Sequence, residues 1–270
     1  MPIRVATRLL ASSRQQAGDL RLRTPNGRVR GGRLRTAAVT AAVLVPALAL
    51  SAGCSGGSKA KTPDTIRASG AVSTAKLTSA LLTSSDVPHV QVMPAGSKTQ
   101  LLGGAAKADN PACQPIADQW SSRPKHPRQV YTGAMVTDTT DKDKKAKAIT
   151  LEVIASYTPG TARSVLDELT TALRTCRNFK ATRDTGAITT FSVQPVQPAT
   201  GAAPLGDQQA TYTIADTARG AQGIVLVTVV RSGDTTAAYE TVRADHQPAT
   251  LRPSIPLKQA EKLKDAATGK

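Results

Sequence analysis

The chain has 270 residues, a net charge of +16 and an aromatic content of only 3%. So few aromatic side chains leave little surface for stacking on nucleobases or sugars, which argues against a nucleic-acid-binding protein. Residues 1–36 hold nine Arg against Asp19, a net +8, and residues 55–270 hold 26 basic and 18 acidic residues, again +8. Half of the basicity therefore belongs to the N-terminal segment.

That segment has the layout of an export signal. Residues 37–50 form a 14-residue apolar run, which four arginines between residues 28 and 35 precede. The run is too short to span a bilayer as a helix, and the order of charged and apolar parts is that of a secretory signal peptide. We therefore expect a signal peptide over residues 1–53, and its long basic part suggests that translation begins near Val29.

The apolar run ends in Leu50-Ser51-Ala52-Gly53-Cys54, which resembles the lipobox of bacterial lipoproteins, with Ser51 at the usual leucine position. The resemblance implies that Cys54 is the lipidation site and carries a diacylglyceryl group with palmitate-like chains, enough for stable anchoring. The alternative is an ordinary cleaved signal with a chance cysteine. We expect membrane lipid as a partner, a flexible linker over residues 54–71, and a location on the outer face of the cytoplasmic membrane.

After the linker, the pattern predicts helices before strands. Leucines at helical spacing predict a short helix over residues 72–84, and residues 94–109 are expected to form a loop. Asn110 and Pro111 form a helix start, and a single apolar face follows it. The residues on that face are Cys113, Ile116, Ala117 and Trp120.

The central part predicts a hairpin and the longest helix. Residues 129–137 and 147–157 are predicted strands, the second alternating apolar residues with Thr150, Glu152 and Ser156, and a charged loop joins them. Thr158-Pro159 opens a helix over residues 160–177 with a continuous apolar stripe. This stripe is expected to face the core.

The C-terminal part predicts more strands and a last helix. Residues 187–193 and 208–215 alternate as strands around a proline-containing loop from Pro195 to Gly206. Ile224 to Val230 is almost wholly apolar, which predicts a strand buried on both faces, and Gly233-Asp234 turns into a strand near residues 235–243. A lysine-rich amphipathic helix is expected over residues 257–267. The order predicts one α+β domain over residues 72–267, an antiparallel sheet flanked by helices, after a disordered signal and linker.

Cys113 and Cys176 are the two cysteines that remain besides Cys54. Each lies on the apolar stripe of its predicted helix, and an exported protein meets an oxidising environment, so a disulfide between them is expected. Two buried free cysteines are the alternative. A redox-active pair is disfavoured, because the chain has no Cys-x-x-Cys spacing.

No motif in the chain specifies catalysis, a metal or a cofactor. Asp141, Asp143 and Glu152 match part of a calcium-loop pattern, but Lys145 and Ala146 occupy positions where that loop needs a ligand and a glycine. The three histidines, at positions 89, 126 and 246, lack the spacing of a zinc site. We expect no enzyme, no metal and no cofactor; a hydrolase would need a serine brought to one of these histidines by the fold.

Two short stretches, Leu173-Arg174-Thr175-Cys176 and Val229-Val230-Arg231-Ser232-Gly233-Asp234, resemble the actinobacterial sensor-type lipoproteins, which are similar to the extracellular domain of mycobacterial PknH-like receptor kinases. The resemblance extends over roughly residues 77–265. It implies an α+β extracellular module that binds a ligand in a cleft and carries no kinase. The family's receptor domains use two disulfides, whereas this chain can form one, and no ligand-binding residue can be transferred.

These observations lead to one expected function and one alternative. The first is a membrane-anchored, non-enzymatic ligand-binding or sensing module whose ligand-binding residues are unknown from sequence. The alternative is a structural lipoprotein that binds an envelope protein or an anionic wall polymer through its positive charge. A small ligand, an envelope protein and a wall polymer are therefore the partners to consider beyond the membrane.

Overall fold

The computed structural model describes residues 71–268, so the predicted signal peptide, Cys54 and the linker up to residue 70 lie outside the described residues. The helices are α1 (Thr74–Ser79), α2 (Gln114–Ala117), α3 (Thr161–Thr175) and α4 (Ser254–Thr268). The strands are β1 (Val90–Pro94), β2 (Ala106–Ala108), β3 (Val130–Asp138), β4 (Ala148–Ser156), β5 (Asn178–Arg183), β6 (Ile188–Pro195), β7 (Gln208–Asp216), β8 (Ile224–Ser232) and β9 (Thr235–Arg243).

The strands form one antiparallel sheet in the order β1-β3-β4-β9-β8-β7-β6-β5-β2. The apolar strand β8 lies at its centre, as expected for a strand that is buried on both faces. Gly233, with φ of 60°, makes the tight turn into β9 with Asp234, because a two-residue hairpin turn needs the left-handed backbone that glycine adopts at little cost. The predicted α+β fold, an antiparallel sheet flanked by helices, is confirmed.

Helices cover both faces of the sheet, and each face has its own apolar core. The α2/α3 face buries a cluster that includes Ile116, Trp120, Leu166, Leu169, Phe191, Tyr212 and Val227. The α1/α4 face buries a second cluster that includes Leu77, Leu82, Ile154, Tyr239, Ile255 and Leu263. Full burial of one large apolar side chain contributes about 1.5–3 kcal/mol, so these two clusters supply most of the stabilisation.

The first and last helices are joined by side-chain hydrogen bonds. Gln259 of α4 is fully buried; its Oε1 accepts from the Leu82 amide at 3.0 Å, and its Nε2 donates to the Ala80 carbonyl at 2.8 Å. Lys262 Nζ donates to the Leu81 carbonyl at 2.8 Å and to Asp86 at 2.7 Å. These bonds satisfy backbone groups at the end of α1, where the helix itself offers no partner.

The structure corrects several predicted boundaries. The first helix ends at Ser79 and not at residue 84, because the Asp86 carboxylate binds the Thr83 amide at 2.7 Å and forms a turn. The predicted loop over residues 94–109 contains the short strand β2, and strand β5 follows α3 where no strand was predicted. The last helix begins at Ser254, three residues before the predicted start.

Strand β4 is buried on both faces, contrary to the apolar and polar alternation of its sequence. Thr150, Glu152 and Ser156 on its polar side are at most 2% exposed. This side faces α1 and α4, since Glu152 lies directly opposite Tyr239 of β9 and Ala134 of β3. Alternation predicted one buried face because it takes no account of a second layer of helices over the polar face.

Candidate functional site

A disulfide joins Cys113 to Cys176 and fixes the segment before α2 against the end of α3, as the sequence predicted. Their Cα atoms lie 5.5 Å apart, and both side chains are buried. Asn110 begins this segment as expected, because its side chain accepts a hydrogen bond from the Ala112 amide at 3.0 Å. The bridge therefore holds the C-terminal end of α3 in place on the sheet.

A groove of about 430 Å³ lies beside that end of α3. Its walls come from the last two turns of α3, the loop that follows β6, and the start of β7; the lining residues are Thr170, Leu173, Arg174, Arg177, Pro195, Val196, Gln197, Pro198, Gln209, Ala210 and Thr211. The Val196 amide donates to the Thr211 carbonyl at 2.8 Å, which holds the start of the loop against β7. The volume falls within the range of small-ligand pockets, roughly 300–1,000 Å³.

The charged side chains of this groove are both arginines. Arg174 is exposed and makes no ion pair or hydrogen bond with any described residue, whereas Arg177 donates from Nη1 to the Leu173 carbonyl. Neither acidic residue of α3 lines the groove: Asp167 accepts a hydrogen bond from Gln208 Nε2 at 2.8 Å, and Glu168 accepts one from Lys125. The groove can therefore offer positive charge and hydrogen-bond donors to a ligand.

Sequence reasoning did not assign either arginine to a site. Helical spacing does not relate the two, because α3 ends at Thr175 and Cys176 is extended, and the loop that completes the groove had no recognisable pattern. The predicted strand over residues 187–193 also ended before Pro195. Only the folded chain brings Pro195, Val196 and Pro198 opposite the helix.

A second, narrower cleft enters the α2/α3 face. Trp120 and Phe191 line it with their ring centroids 5.6 Å apart, together with Ile214, Asp216, Gly223, Val225, Val227 and Glu240. Trp120 is 2% exposed, and its Nε1 has no hydrogen-bond partner among the described residues. The free space is about 30 Å³, which suits one or two water molecules and not a larger ligand.

Glu240 lines this cleft close to two cations. Burial raises the pKa of Glu240 to about 7, although the positive charges of Arg183 and Arg128 oppose that rise. Both arginines are held by backbone carbonyls: Arg183 Nη1 donates to Gly104 at 2.9 Å, and Arg128 donates to Asp118, Gln119 and Ser121 at 2.9 Å. The cluster is a partly buried set of charges, with Arg183 buried and Glu240 and Arg128 half-buried, and it has little room for a substrate.

A carboxyl group is also buried on the α1/α4 face. Glu152 is 0% exposed, and neither of its oxygens has a hydrogen-bond partner among the described residues. Burial raises the pKa of Glu152 to about 8; the nearby Tyr239 hydroxyl and the charge of Lys262 oppose this effect, although Tyr239 does not reach hydrogen-bonding geometry. The group is therefore largely protonated at neutral pH.

The three histidines are dispersed in the structure. His126 Nε2 lies 3.0 Å from Glu168, which also accepts from Lys125 at 2.7 Å. Burial opposes the ionisation of Glu168, but the bonds to Lys125 and His126 outweigh it and lower the pKa of that carboxyl. Among residues 71–268, no histidine ring reaches a serine hydroxyl, and no group of three metal-ligating side chains converges. Glu152 also lies inside a strand, away from any calcium-binding loop.

Comparisons with known proteins return similar structures but no family. The sequence matches no known protein family and no curated protein. The similar solved structures include the extracellular domain of PknH from Mycobacterium tuberculosis, with a TM-score of 0.47, 12% identity, and coverage of 74% of this chain and 98% of that one. An uncharacterized protein of Mycobacterium smegmatis, the Rv0999 ortholog, has a TM-score of 0.30, 19% identity, and coverage of 74% and 97%. The expected resemblance to PknH is thus a distant structural similarity, and membership of a lipoprotein family is not established.

Proposed function

We propose that this protein is a non-enzymatic ligand-binding or sensing module, held outside the cell by a lipid anchor. The observation that carries the binding function is the 430 Å³ groove beside α3, whose size suits a small molecule. Its lining contains no paired acid and base and no activated nucleophile. The arrangement therefore supports binding without chemical conversion of the ligand.

The extracytoplasmic location rests on two independent features. The arginine-rich, apolar N-terminal segment ending at Cys54 has the order of a bacterial export signal. The disulfide between Cys113 and Cys176 belongs to an oxidising compartment, since cytosolic proteins keep such thiols reduced. No helix among residues 71–268 is long and apolar enough to cross a bilayer.

The anchor is tested by replacing Cys54 with Ala. We expect the wild-type chain in the membrane fraction, with a diacylglyceryl mass on Cys54 by intact mass spectrometry, and nearly all of the variant released, because the two acyl chains supply the stable attachment. Ser55→Ala is the matched control and should stay with the membrane. A Cys54→Ala chain that still sediments with membranes would contradict the proposed anchor.

Binding is tested by a thermal-shift screen of the full-length protein against a chemically diverse library of small molecules. A ligand at 100 times its Kd stabilises the folded state by about 2.7 kcal/mol, which raises Tm by several degrees. A hit whose effect disappears when the groove is filled by Thr170→Trp, at an exposed position of α3 that lines it, supports the proposal. Hits that Thr170→Trp leaves unchanged would place binding elsewhere.

The alternative, a partner-binding envelope lipoprotein, is favoured by one exposed feature. Met93 is 60% exposed on β1, the strand at one edge of the sheet, and offers an apolar contact to another chain. Pull-down from solubilised envelope with wild-type protein and Met93→Lys distinguishes the two functions. Capture of one envelope protein by the wild type alone would favour the alternative.

A further inference from the structure

We propose that the groove beside α3 binds an amphiphilic anion, a small molecule with an aliphatic part and a carboxylate or phosphate group, which Arg174 and Arg177 recognise. The inference rests on the proposed ligand-binding function and adds the chemical class of the ligand. It depends on three features of the groove: its uncompensated positive charge, its apolar wall and its volume.

The charge of the groove is positive without an acidic partner. Arg174 lies in the last turn of α3 and Arg177 lies two residues beyond the end of that helix. Both line the groove, and no Asp or Glu is among the lining residues. Arg174 makes no contact with an acidic group in the described chain, and the hydrogen bonds of Arg177 within residues 71–268 use Nη1 alone. Guanidinium groups present paired donors that match the oxygens of carboxylates and phosphates.

The end of a helix normally opposes anion binding, because its last carbonyls carry partial negative charge. Here two of those last carbonyls accept hydrogen bonds. Arg177 Nη1 donates to the Leu173 carbonyl, and the Cys176 amide donates to the Ala172 carbonyl at 2.8 Å. These bonds offset the local negative potential. The positive charge of Arg174 therefore faces the groove with little opposition from the helix.

The opposite wall of the groove is apolar. Pro195, Val196 and Pro198 line it, with Leu173 and Ala210 beside them, and Val196 is 38% exposed. The remaining lining residues, threonines and glutamines, are uncharged. A ligand with one anionic group and a short aliphatic chain would pair with the arginines and cover this wall, whereas a polyanion would leave the wall exposed.

The experiment is isothermal titration of the full-length protein with three probes of matched chain length, hexyl phosphate, heptanoate and hexanol. Arg174→Gln removes the unpaired charge, and Arg163→Gln removes an exposed charge from the same helix outside the groove. We expect hexyl phosphate or heptanoate to bind the wild type, Arg174→Gln to weaken that binding about tenfold or more, and Arg163→Gln to leave it unchanged.

The probes also separate the possible sources of the ligand. Preference for hexyl phosphate would indicate a phosphate ester, and preference for heptanoate would indicate a carboxylate. Equal binding of hexanol and the anions, or equal binding by the wild type and Arg174→Gln, would overturn the anionic class while the proposed binding function stood. Absence of binding by all three probes would also overturn the anionic class. The thermal-shift screen of the small-molecule library would then be the remaining test of the binding function.

Discussion

Replacing Glu152 with Gln is expected to raise the free energy of unfolding at pH 8 by on the order of 3 kcal/mol and to change it little at pH 5. The carboxyl is fully buried without a hydrogen-bond partner, and burial raises its pKa from 4.5 to about 8 in the folded state. Gln is a neutral side chain of the same shape, so it removes the titration and preserves the packing.

The sign follows from the two pKa values. Well below pH 4.5 the group is protonated in both states and its effect on pH dependence vanishes. Between pH 4.5 and about 8 the unfolded chain releases this proton and the folded chain retains it, so the stability of the wild type falls as pH rises. Because Gln does not titrate, the difference between the two proteins grows across this window.

Urea denaturation at pH 5 and pH 8 measures this difference. Glu261→Gln is the matched control, since its side chain is 60% exposed on α4 and its pairing with Lys258 contributes little. Other groups, among them Glu240, titrate in both proteins, so their contributions to the pH dependence of stability cancel in the comparison. Equal stability of the wild type and Glu152→Gln at both pH values would show that the carboxyl has access to water.

Removing both cysteines of the bridge, Cys113→Ala with Cys176→Ala, is expected to cost about 4 kcal/mol of stability in the chain-entropy view. The bridge closes a loop between residues 63 apart, so it strongly restricts the unfolded chain. It also joins two buried side chains in the α2/α3 core. In a domain of this size the loss lowers Tm by roughly 10 °C.

Thermal unfolding followed by circular dichroism, with and without reductant, tests the bridge. The wild type should lose stability on full reduction, whereas the double variant should have a low Tm that reductant does not change. A double variant that unfolds within a degree or two of the wild type would show that the bridge contributes little. Binding of the anionic probes by this variant would then report whether the bridge positions the groove.

The sequence was most informative where one strong local signal decided the structure. Gly233-Asp234 between two apolar segments predicted the β8–β9 hairpin, and a turn of that length fixes the pairing of the strands that it joins. The continuous stripe of α3 predicted the face that it buries and the ends of the helix to within two residues. Such elements depend on near neighbours, so one sequence was sufficient to predict them.

Elements that depend on distant partners were missed. Alternate residues of strand β5, Phe179, Ala181 and Arg183, are buried. Because one of these buried residues is an arginine, the sequence does not show the alternation of apolar and polar residues that predicts a strand. Arg183 is buried there because the carbonyl of Gly104, 79 residues away, accepts its hydrogen bond. Strand β2 has only three residues and exists through its pairing with β5. Neither interaction can be seen in a local window.

The candidate site was the least predictable part of the molecule. The disulfide that holds α3 in place could be predicted, because both cysteines lie on apolar faces and the N-terminal segment predicts export. The groove could not, because it forms where a helix end meets a proline-containing loop, and the apposition depends on the register of β6 with β7. Arginines on an exposed helix side are usually solvated, so composition alone did not identify Arg174 as a binding residue.

The hydrogen bonds between α4 and α1 also bear on the order in which the chain folds. The Leu82 amide and Gln259 are 177 residues apart, so the α1/α4 face cannot close until almost the whole domain is available to fold. Until then Glu152 and Tyr239 remain in contact with water, and the carboxyl is free to ionise. Closure must then take up a proton at neutral pH, which makes the last stage of folding sensitive to the pH of the surrounding solution.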